Sequence, residues 1–239
     1  MLDHELVRLP TDPAERSLAE SYRHLAREDL GRRGVDPVLR GLDLVLATVA
    51  LLLLWPLIAV IALAVRVTSR GPIIYRGARV GRGGEVFTMY KFRTLSVDAE
   101  DRLGPYLGPE LTQLTMGEVT PVGRVLRAGH IDELPQLVNV VRGDMSIVGP
   151  RPIRPAFFEE LCRDIPQYWQ RLVARPGMAG FAQLRMTRET TWSEKLSHDL
   201  EYIADRSVRL YVVVIAQTAG RILSRVLSAM VPGRQGRGD

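Results

Sequence analysis

The residues best equipped for chemistry in this sequence are carboxylates set among arginines, in two stretches, KFRTLSVDAED (91–101) and HIDELPQLVNVVRGDMSIVGPRP (130–152). The contiguous pair Asp132-Glu133 stands where a helix is expected to begin, with Pro135 in its first turn. A helix N-terminus favours negative charge, so a carboxylate there stays ionised and can accept a phosphoryl group or hold a metal ion. The same two residues can also be read as a plain helix cap, with Gln136 and Asn139 serving packing hydrogen bonds. Asp98 and Glu100 form the rival pair, and their simplest reading is a solvated acidic helix start. In GPRP, the prolines flanking Arg151 hold its guanidinium at low entropic cost, which suits a clamp on a pyrophosphate or polyprenyl phosphate. Pairing of Arg151 with Asp132 or Glu133 is the structural alternative.

Several other chemistries are excluded. GRGGE lacks the Walker lysine followed by Ser or Thr, and no GxSxG elbow is present. The four histidines, His4, His24, His130 and His198, have no zinc-binding spacing. A single cysteine, Cys162, excludes a disulfide framework within the chain and a Cys-rich zinc site, and reads as a small buried hydrophobe.

The elements that must position these groups are written around one apolar segment. The chain has 239 residues, 25% charged and 46% hydrophobic, which excludes disorder and leaves room for one large domain or two small ones. A mean hydropathy of +0.01 hides an uncharged run from Leu44 to Val65, bracketed by Asp43 and Arg66. No second run of that kind exists, so a polytopic membrane protein is excluded, and no secretory leader is expected. Pro56 lies inside the run, where it predicts a kink or a helix–break–helix. Arginines flank both ends: Arg32, Arg33 and Arg40 before, Arg66, Arg70, Arg76 and Arg79 after. A spanning helix should show a charge imbalance, so this pattern admits a re-entrant helix beside an ordinary kinked span. All basic residues except Lys91 and Lys195 are arginine, whose planar fork suits phosphate oxygens and anionic headgroups.

Around that segment the chain reads as α+β, mainly α. Asp12-Pro13 opens a short polar helix. Strands are expected near Ile73–Tyr75 and Val86–Lys91, joined by a Gly-rich turn. Helices are expected over Glu133–Arg142, Pro155–Asp164, Glu194–Ile203 and Tyr211–Leu227. The last is either interfacial, with Arg221 and Arg225 on one face, or a core helix, and the tail after it is expected to be loose.

Taken together, GPIIYRGARVGRGGEVFTMYKFRTL, DAE, RVLRAGHIDELPQLVNVVRGDMSIVGPRP, RPGMAGFAQL and WSEKLSHDLEYI resemble the bacterial sugar transferase family, the monotopic phosphoglycosyl transferases. The likeness runs from about Arg40 to Leu227. It implies four parts: a polar segment over 1–39, a re-entrant helix over 40–66 broken at Trp55-Pro56, a catalytic domain on the cytosolic face over 67–230, and a tail over 231–239. It implies transfer of a phosphosugar from a UDP-sugar to undecaprenyl phosphate, with UMP released, by way of an aspartyl phosphosugar and with Mg²⁺. Carried onto this chain, the nucleophile is Asp132 and its partner Glu133, and both are metal ligands. Substrate contacts fall on Lys91, Arg93, Arg127, Gln136, Arg151 and Arg175, while Asp98 and Glu100 drop to a supporting role. Implied partners are the donor, the acceptor and membrane lipids at the cytoplasmic face of a bacterial inner membrane; no nucleic acid is expected, and a homodimer is left open. The chain looks like a short form of the family. It departs from the common pattern at Gly129-His130-Ile131, where many relatives have Thr-Ser-Leu, at Gly77 (often glutamine) and at Phe181 (often tryptophan). A membrane-surface scaffold and a diphosphate hydrolase are the competing readings.

Overall fold

A computed structural model of the chain describes residues 34–97, 99, 115–187 and 190–230, with side chains up to residue 224. The expected N-terminal helix, Asp98, Glu100 and the tail lie outside the described residues. The first element, α1 (Asp36–Thr68), opens with Asp36 and Pro37 in its first turn, the placement that suits both residues. It stays one α-helix through Pro56, so the helix–break–helix does not occur. Proline removes a single N–H donor, and leucine-rich turns on either side carry helical bonding across the gap. The middle of α1 is uncovered: Leu52, Leu53 and Trp55 are each more than 60% exposed. A soluble core helix would bury these residues; this one is built to meet lipid.

Both halves of α1 nevertheless pack on the same body. Leu39 joins a cluster with Val148, Tyr202, Tyr211 and Val214, and Ala47 joins Met89, Leu137, Val140 and Met145. Past the exposed middle, Ile61 and Val65 pack with Phe92 and Leu126. Two ion-pair and cap contacts tie down the start: Arg206 binds Asp36 at 2.6 Å, and Arg40 donates to the carbonyls of Val140 and Val141 at 2.7 and 3.0 Å.

After α1 comes an antiparallel hairpin, β1 (Ile74–Val80) with β2 (Val86–Phe92), in register from Ile74↔Phe92 to Val80↔Val86. Its tight turn, Arg82–Gly84, places Gly83 and Gly84 at φ of 67° and 77°, where glycine carries no steric cost. Strand β1 runs five residues beyond the expected Tyr75, because pairing with β2 overrides the turn tendency of Gly77. Helix α2 (Pro121–Ala128) follows, capped by the Thr120 hydroxyl accepting from the Gly123 amide at 3.0 Å. Helix α3 (Gln136–Arg142) starts three residues later than expected, since Ile131–Glu133 forms a separate 3-10 turn.

Two three-residue strands, β3 (Ser146–Val148) and β4 (Gly177–Ala179), pair in parallel. Between them lie α4 (Pro155–Asp164), as expected, and a 3-10 segment over Pro166–Val173. The loops after β3 and before β4 touch through glycine: a Cβ on Gly177 would lie 2.0 Å from the Gly149 amide nitrogen. This contact presses GPRP against RPGMAG and sets the course of the chain at Arg151. Gly177→Ala is therefore expected to lower stability by about 3 kcal/mol, read as a fall in thermal unfolding temperature, whereas Gly41→Ala meets nothing within 4 Å and should not lower it.

The chain closes with α5 (Phe181–Arg185), α6 (Trp192–Asp205) and α7 (Val208–Met230). A capping box between Thr191 and Glu194 starts α6 two residues before the expected Glu194. The core reading of α7 holds for its first half, and Arg221 donates to the carbonyls of Gln183 and Leu184 on α5. Tyr211 and Val214 are fully buried in the core, while Val212, Val213 and Leu223 are exposed.

Candidate active site

The dyad sits on the turn between α2 and α3. His130 takes a left-handed conformation (φ 55°, ψ 20°), and among the described residues it is the sole non-glycine with positive φ. That reversal ends α2 and swings Asp132 and Glu133 toward the hairpin. An L-residue held there stores strain, a feature that persists where surrounding structure imposes it. His130→Val, which puts a β-branched side chain in the same conformation, is expected to cost about 1–2 kcal/mol and to slow turnover; His130→Gly should keep both. Thermal unfolding and initial rates of the two variants, which lack the imidazole alike, isolate the backbone effect.

Across from the turn, β2 presents Lys91, whose Nζ meets Glu133 Oε1 at 2.7 Å. Asn139, fully buried, fixes α3 to that strand: its Oδ1 accepts from the Tyr90 amide at 3.0 Å, and its Nδ2 donates to Thr88 O at 2.7 Å and Asp144 Oδ2 at 3.0 Å. The packing role expected for Asn139 is thus a specific one, since it sets the distance between Lys91 and Glu133.

The two carboxyls are electrostatically unlike. Burial pushes Asp132 above the ordinary carboxylate range; Lys91 opposes that, Glu133 reinforces it, and Arg127 and His130 oppose it more weakly. Burial also acts to raise Glu133, but Lys91, then Arg151, outweigh it and hold its pKa below the usual value. The dyad does not sit on a helix N-terminus as expected: Asp132 lies on a buried 3-10 turn, and α3 begins four residues on, so the helix start does not offset the burial of its carboxyl. One carboxylate is firmly ionised and salt-bridged, and its neighbour is a buried base with an elevated pKa.

Two clefts meet at this pair. The larger, about 570 Å³, contains Asp132 and Glu133 with Lys91, Arg93, Arg127 and Arg151. The smaller, about 270 Å³, contains Glu133, Lys91, Gln136 and Arg151 but does not reach Asp132. Seven of the eight residues expected at the site are thereby brought together. Arg175 is not: its Nε donates to Gly143 O at 3.0 Å, and it lines a separate small cavity with Asp36, Arg40 and Asp43. Because RPGMAG is drawn against GPRP by the glycine contact, Arg175 supports the loop from behind.

Arg127 is oriented by its Nε donating to Thr94 Oγ1 at 2.9 Å. Arg93 is buried, with Nη2 donating to both the carbonyl and hydroxyl oxygens of Ser69 just past α1, while its Nε and Nη1 have no hydrogen-bond partner among the described residues. Burial, then nearby Arg66, lowers its pKa. Sequence reasoning missed Arg79 and Arg154, which line both clefts. Burial lowers Arg79, and repulsion from Arg154 and Arg151 adds to this against an opposing contribution from Tyr75. A signal existed for each: Arg79 shares a strand face with Tyr75 and Gly77 at period two, and Arg154 follows Arg151 by three residues. Cations crowded this closely are relieved by an anion.

Glutamine at position 77 would meet resistance here, because Tyr75 and Arg79 fold over Gly77; a Cβ would lie 2.5 Å from Tyr75 Oη and 2.9 Å from Arg79 Nη1.

Fold and site define a membrane-associated α+β protein with a carboxylate pair inside a basic cleft, an arrangement suited to phosphorylated ligands. The chain belongs to the bacterial sugar transferase family, whose profile matches residues 36–225. The UDP-glucose:undecaprenyl-phosphate glucose-1-phosphate transferase of Caulobacter vibrioides is 40% identical over 202 residues, 82% of this chain and 73% of that protein. A transferase of the same description from Escherichia coli is 41% identical over 77% of this chain and 40% of its own length. The UDP-N-acetylgalactosamine-undecaprenyl-phosphate N-acetylgalactosaminephosphotransferase of Aeromonas hydrophila is 36% identical over 84% of this chain, which spans about half (48%) of that relative. The resemblance carried by the motifs holds across nearly the whole described chain.

Proposed function

We propose that the chain transfers a sugar 1-phosphate from a UDP-sugar to undecaprenyl phosphate at a membrane surface. The observation that carries this reading is a buried, elevated-pKa Asp132 beside a salt-bridged Glu133 at the meeting point of two cation-lined clefts. The relatives' names differ in the sugar and agree on undecaprenyl phosphate, which supports the acceptor.

In the first step an Asp132 oxygen attacks the phosphorus that carries the sugar. The bridging P–O bond to the nucleotide breaks, UMP leaves with that oxygen, and an aspartyl phosphosugar forms. In the second step a phosphate oxygen of undecaprenyl phosphate attacks the same phosphorus and expels the Asp132 carboxylate. Arg127 and Arg151 offset the charge at phosphorus, and Glu133 stays ionised on Lys91. A scaffold would need none of this, and a hydrolase would need water in place of the lipid.

No third His, Cys, Asp or Glu joins Asp132 and Glu133 among the described residues. Two carboxylates completed by substrate phosphates and water suit Mg²⁺, so both fit as its ligands. Bound there, Mg²⁺ would supply charge neutralisation to the diphosphate.

The lipid acceptor has a natural approach at the end of α1, where the unpartnered N–H groups of Arg93 sit beside Ser69. Residues on both sides of the exposed middle of α1 pack on one body, which supports a helix that bends at Pro56 without losing its continuity, dips into the membrane and returns. A span would put one packed end across about 30 Å of hydrocarbon. With Cys162 buried, single cysteines at exposed positions 38 and 68 report topology, and both should label from the cytoplasmic side; periplasmic labelling at either sinks the re-entrant arrangement. The activity itself is tested with membranes, radiolabelled UDP-sugars, Mg²⁺ and undecaprenyl phosphate. Label in lipid with release of UMP is the expected result, sugar phosphate without lipid label points to hydrolysis, and no turnover of any donor leaves the scaffold.

A further inference from the structure

The two clefts share Arg79, Lys91, Glu133, Arg151 and Arg154 but differ in their remaining walls. We propose that the smaller cleft binds the nucleoside of the donor and the larger one the phosphates, with Trp192, Phe157 and Gln183 as the nucleoside-contacting residues. This rests on the transfer reading above and assigns one part of its donor to a place.

The outer wall of the smaller cleft is aromatic. Phe157 on α4 and Trp192 on α6 meet edge to face, with ring centroids 4.9 Å apart and planes at 84°. Lys195 holds its ammonium 3.9 Å from the Trp192 ring centre, and Gln183 on α5 lines the same cleft. Aromatic rings offer stacking area to a planar base, while an amide and an ammonium supply both donor and acceptor groups for its carbonyl and N–H edge. A volume of about 270 Å³ is near the lower end for small-ligand clefts.

Alternative occupants fit less well. Sugar hydroxyls are usually held by carboxylates and amides, and the two carboxylates lining this cleft are already committed, Glu133 to Lys91 and Asp199 to Arg171 at 2.7 Å each. The polyprenyl chain arrives from the membrane, yet no residue of α1 or of the loop directly after it lines the smaller cleft. Pro72, just past α1, lines the larger one. Asp132 also lies only in the larger cleft, where the phosphorus must be.

This division has a consequence for a two-step transfer. The leaving nucleotide phosphate and the entering lipid phosphate must both face Asp132 in turn. A shared ring of cations with separate compartments for base and lipid lets each use the same phosphate seat.

The test measures binding of UMP and of pyrophosphate to the purified full chain in lipid nanodiscs, for wild type, Trp192→Ala, Phe157→Leu and Gln183→Ala. UMP has the nucleoside and lacks the sugar; pyrophosphate has neither. Trp192→Ala is expected to weaken UMP at least tenfold and the milder variants at least threefold, with pyrophosphate held within twofold and the KM for undecaprenyl phosphate unchanged. Unchanged UMP binding in all three variants overturns the proposal, as does an equal loss of UMP and pyrophosphate, which marks a disturbed fold or phosphate seat. Altered preference among UDP-sugars with unchanged UMP binding reassigns the cleft to the sugar. The outcomes stay separable: wild-type lipid transfer with unaffected UMP binding ends this inference alone, while absence of wild-type transfer ends the functional reading.

Discussion

Asp132→Asn is expected to abolish lipid-linked product, with transfer falling on the order of 10⁴-fold or more. The amide keeps the shape of the side chain and removes the nucleophilic charge, so no covalent phosphosugar can form. The same substitution should leave the fold intact and raise the thermal unfolding temperature slightly. An elevated carboxyl pKa means that the folded chain binds this proton more tightly than the unfolded chain does. Stability from this group is therefore greatest below the unfolded pKa and declines as pH rises between the unfolded and folded values. At neutral pH an ionised Asp132 is a net cost, which asparagine relieves. In wild type, activity should fall as pH drops through the raised Asp132 pKa, at a higher pH than an ordinary carboxylate would give, because Glu133 titrates below its usual value and cannot be the source. Lipid-linked label, thermal unfolding and the pH profile check the three parts. Full activity in Asp132→Asn would remove this residue from the chemistry.

The second large effect is expected at Asp43, which in the sequence merely marks the edge of the uncharged run. Its carboxylate is 2% exposed, and Oδ1 accepts from Ser146 Oγ at 2.9 Å, the Ile147 amide at 2.8 Å and Tyr211 Oη at 2.8 Å. One oxygen thus joins the start of α1 to β3 and α7. Burial, then the Asp43 charge, pushes the Tyr211 pKa up, so the phenol keeps the proton it donates. Asp43→Ala leaves a buried amide and two hydroxyls without their acceptor, at about 3–5 kcal/mol in all. Loss of that much destabilises a domain whose whole margin is about 5–15 kcal/mol. Asp43→Asn, which keeps an oxygen acceptor of the same size, should recover part of it. Thermal unfolding in nanodiscs measures both, and an alanine variant as stable as wild type would show that the three hydrogen bonds do not hold α1 in place.

Much of the architecture is legible locally. Alternating β-branched and aromatic residues predict the hairpin, and Pro155 with its downstream apolar periodicity predicts α4 at its observed ends. The carboxylate pair and GPRP announce themselves by residue type and spacing. What escapes local reading has a common cause. Strands β3 and β4 are three residues each, too short for a periodic signal, and their pairing joins segments about thirty residues apart through a glycine contact. Arg175, followed by Pro176, looks as basic as Arg151, yet its Nε donates to Gly143 O. Arg79 looks like one more flanking arginine until β1 places it in the wall of the cleft that holds the dyad.

By itself the sequence determined the apolar segment, the set of chemically able residues and the family, because these depend on composition and spacing along the chain. Tertiary structure alone decided how the two carboxyls differ in acidity. Asp132 and Glu133 are adjacent and chemically alike, but β2 delivers Lys91 to one and burial falls unopposed enough on the other to separate their pKa values in opposite directions. Charge state depends on burial and on charges brought from distant residues, and neither is written in local sequence. The same holds for α1: its composition gives a long apolar helix, while the packing of Leu39 and Val65 brings both of its ends against one body.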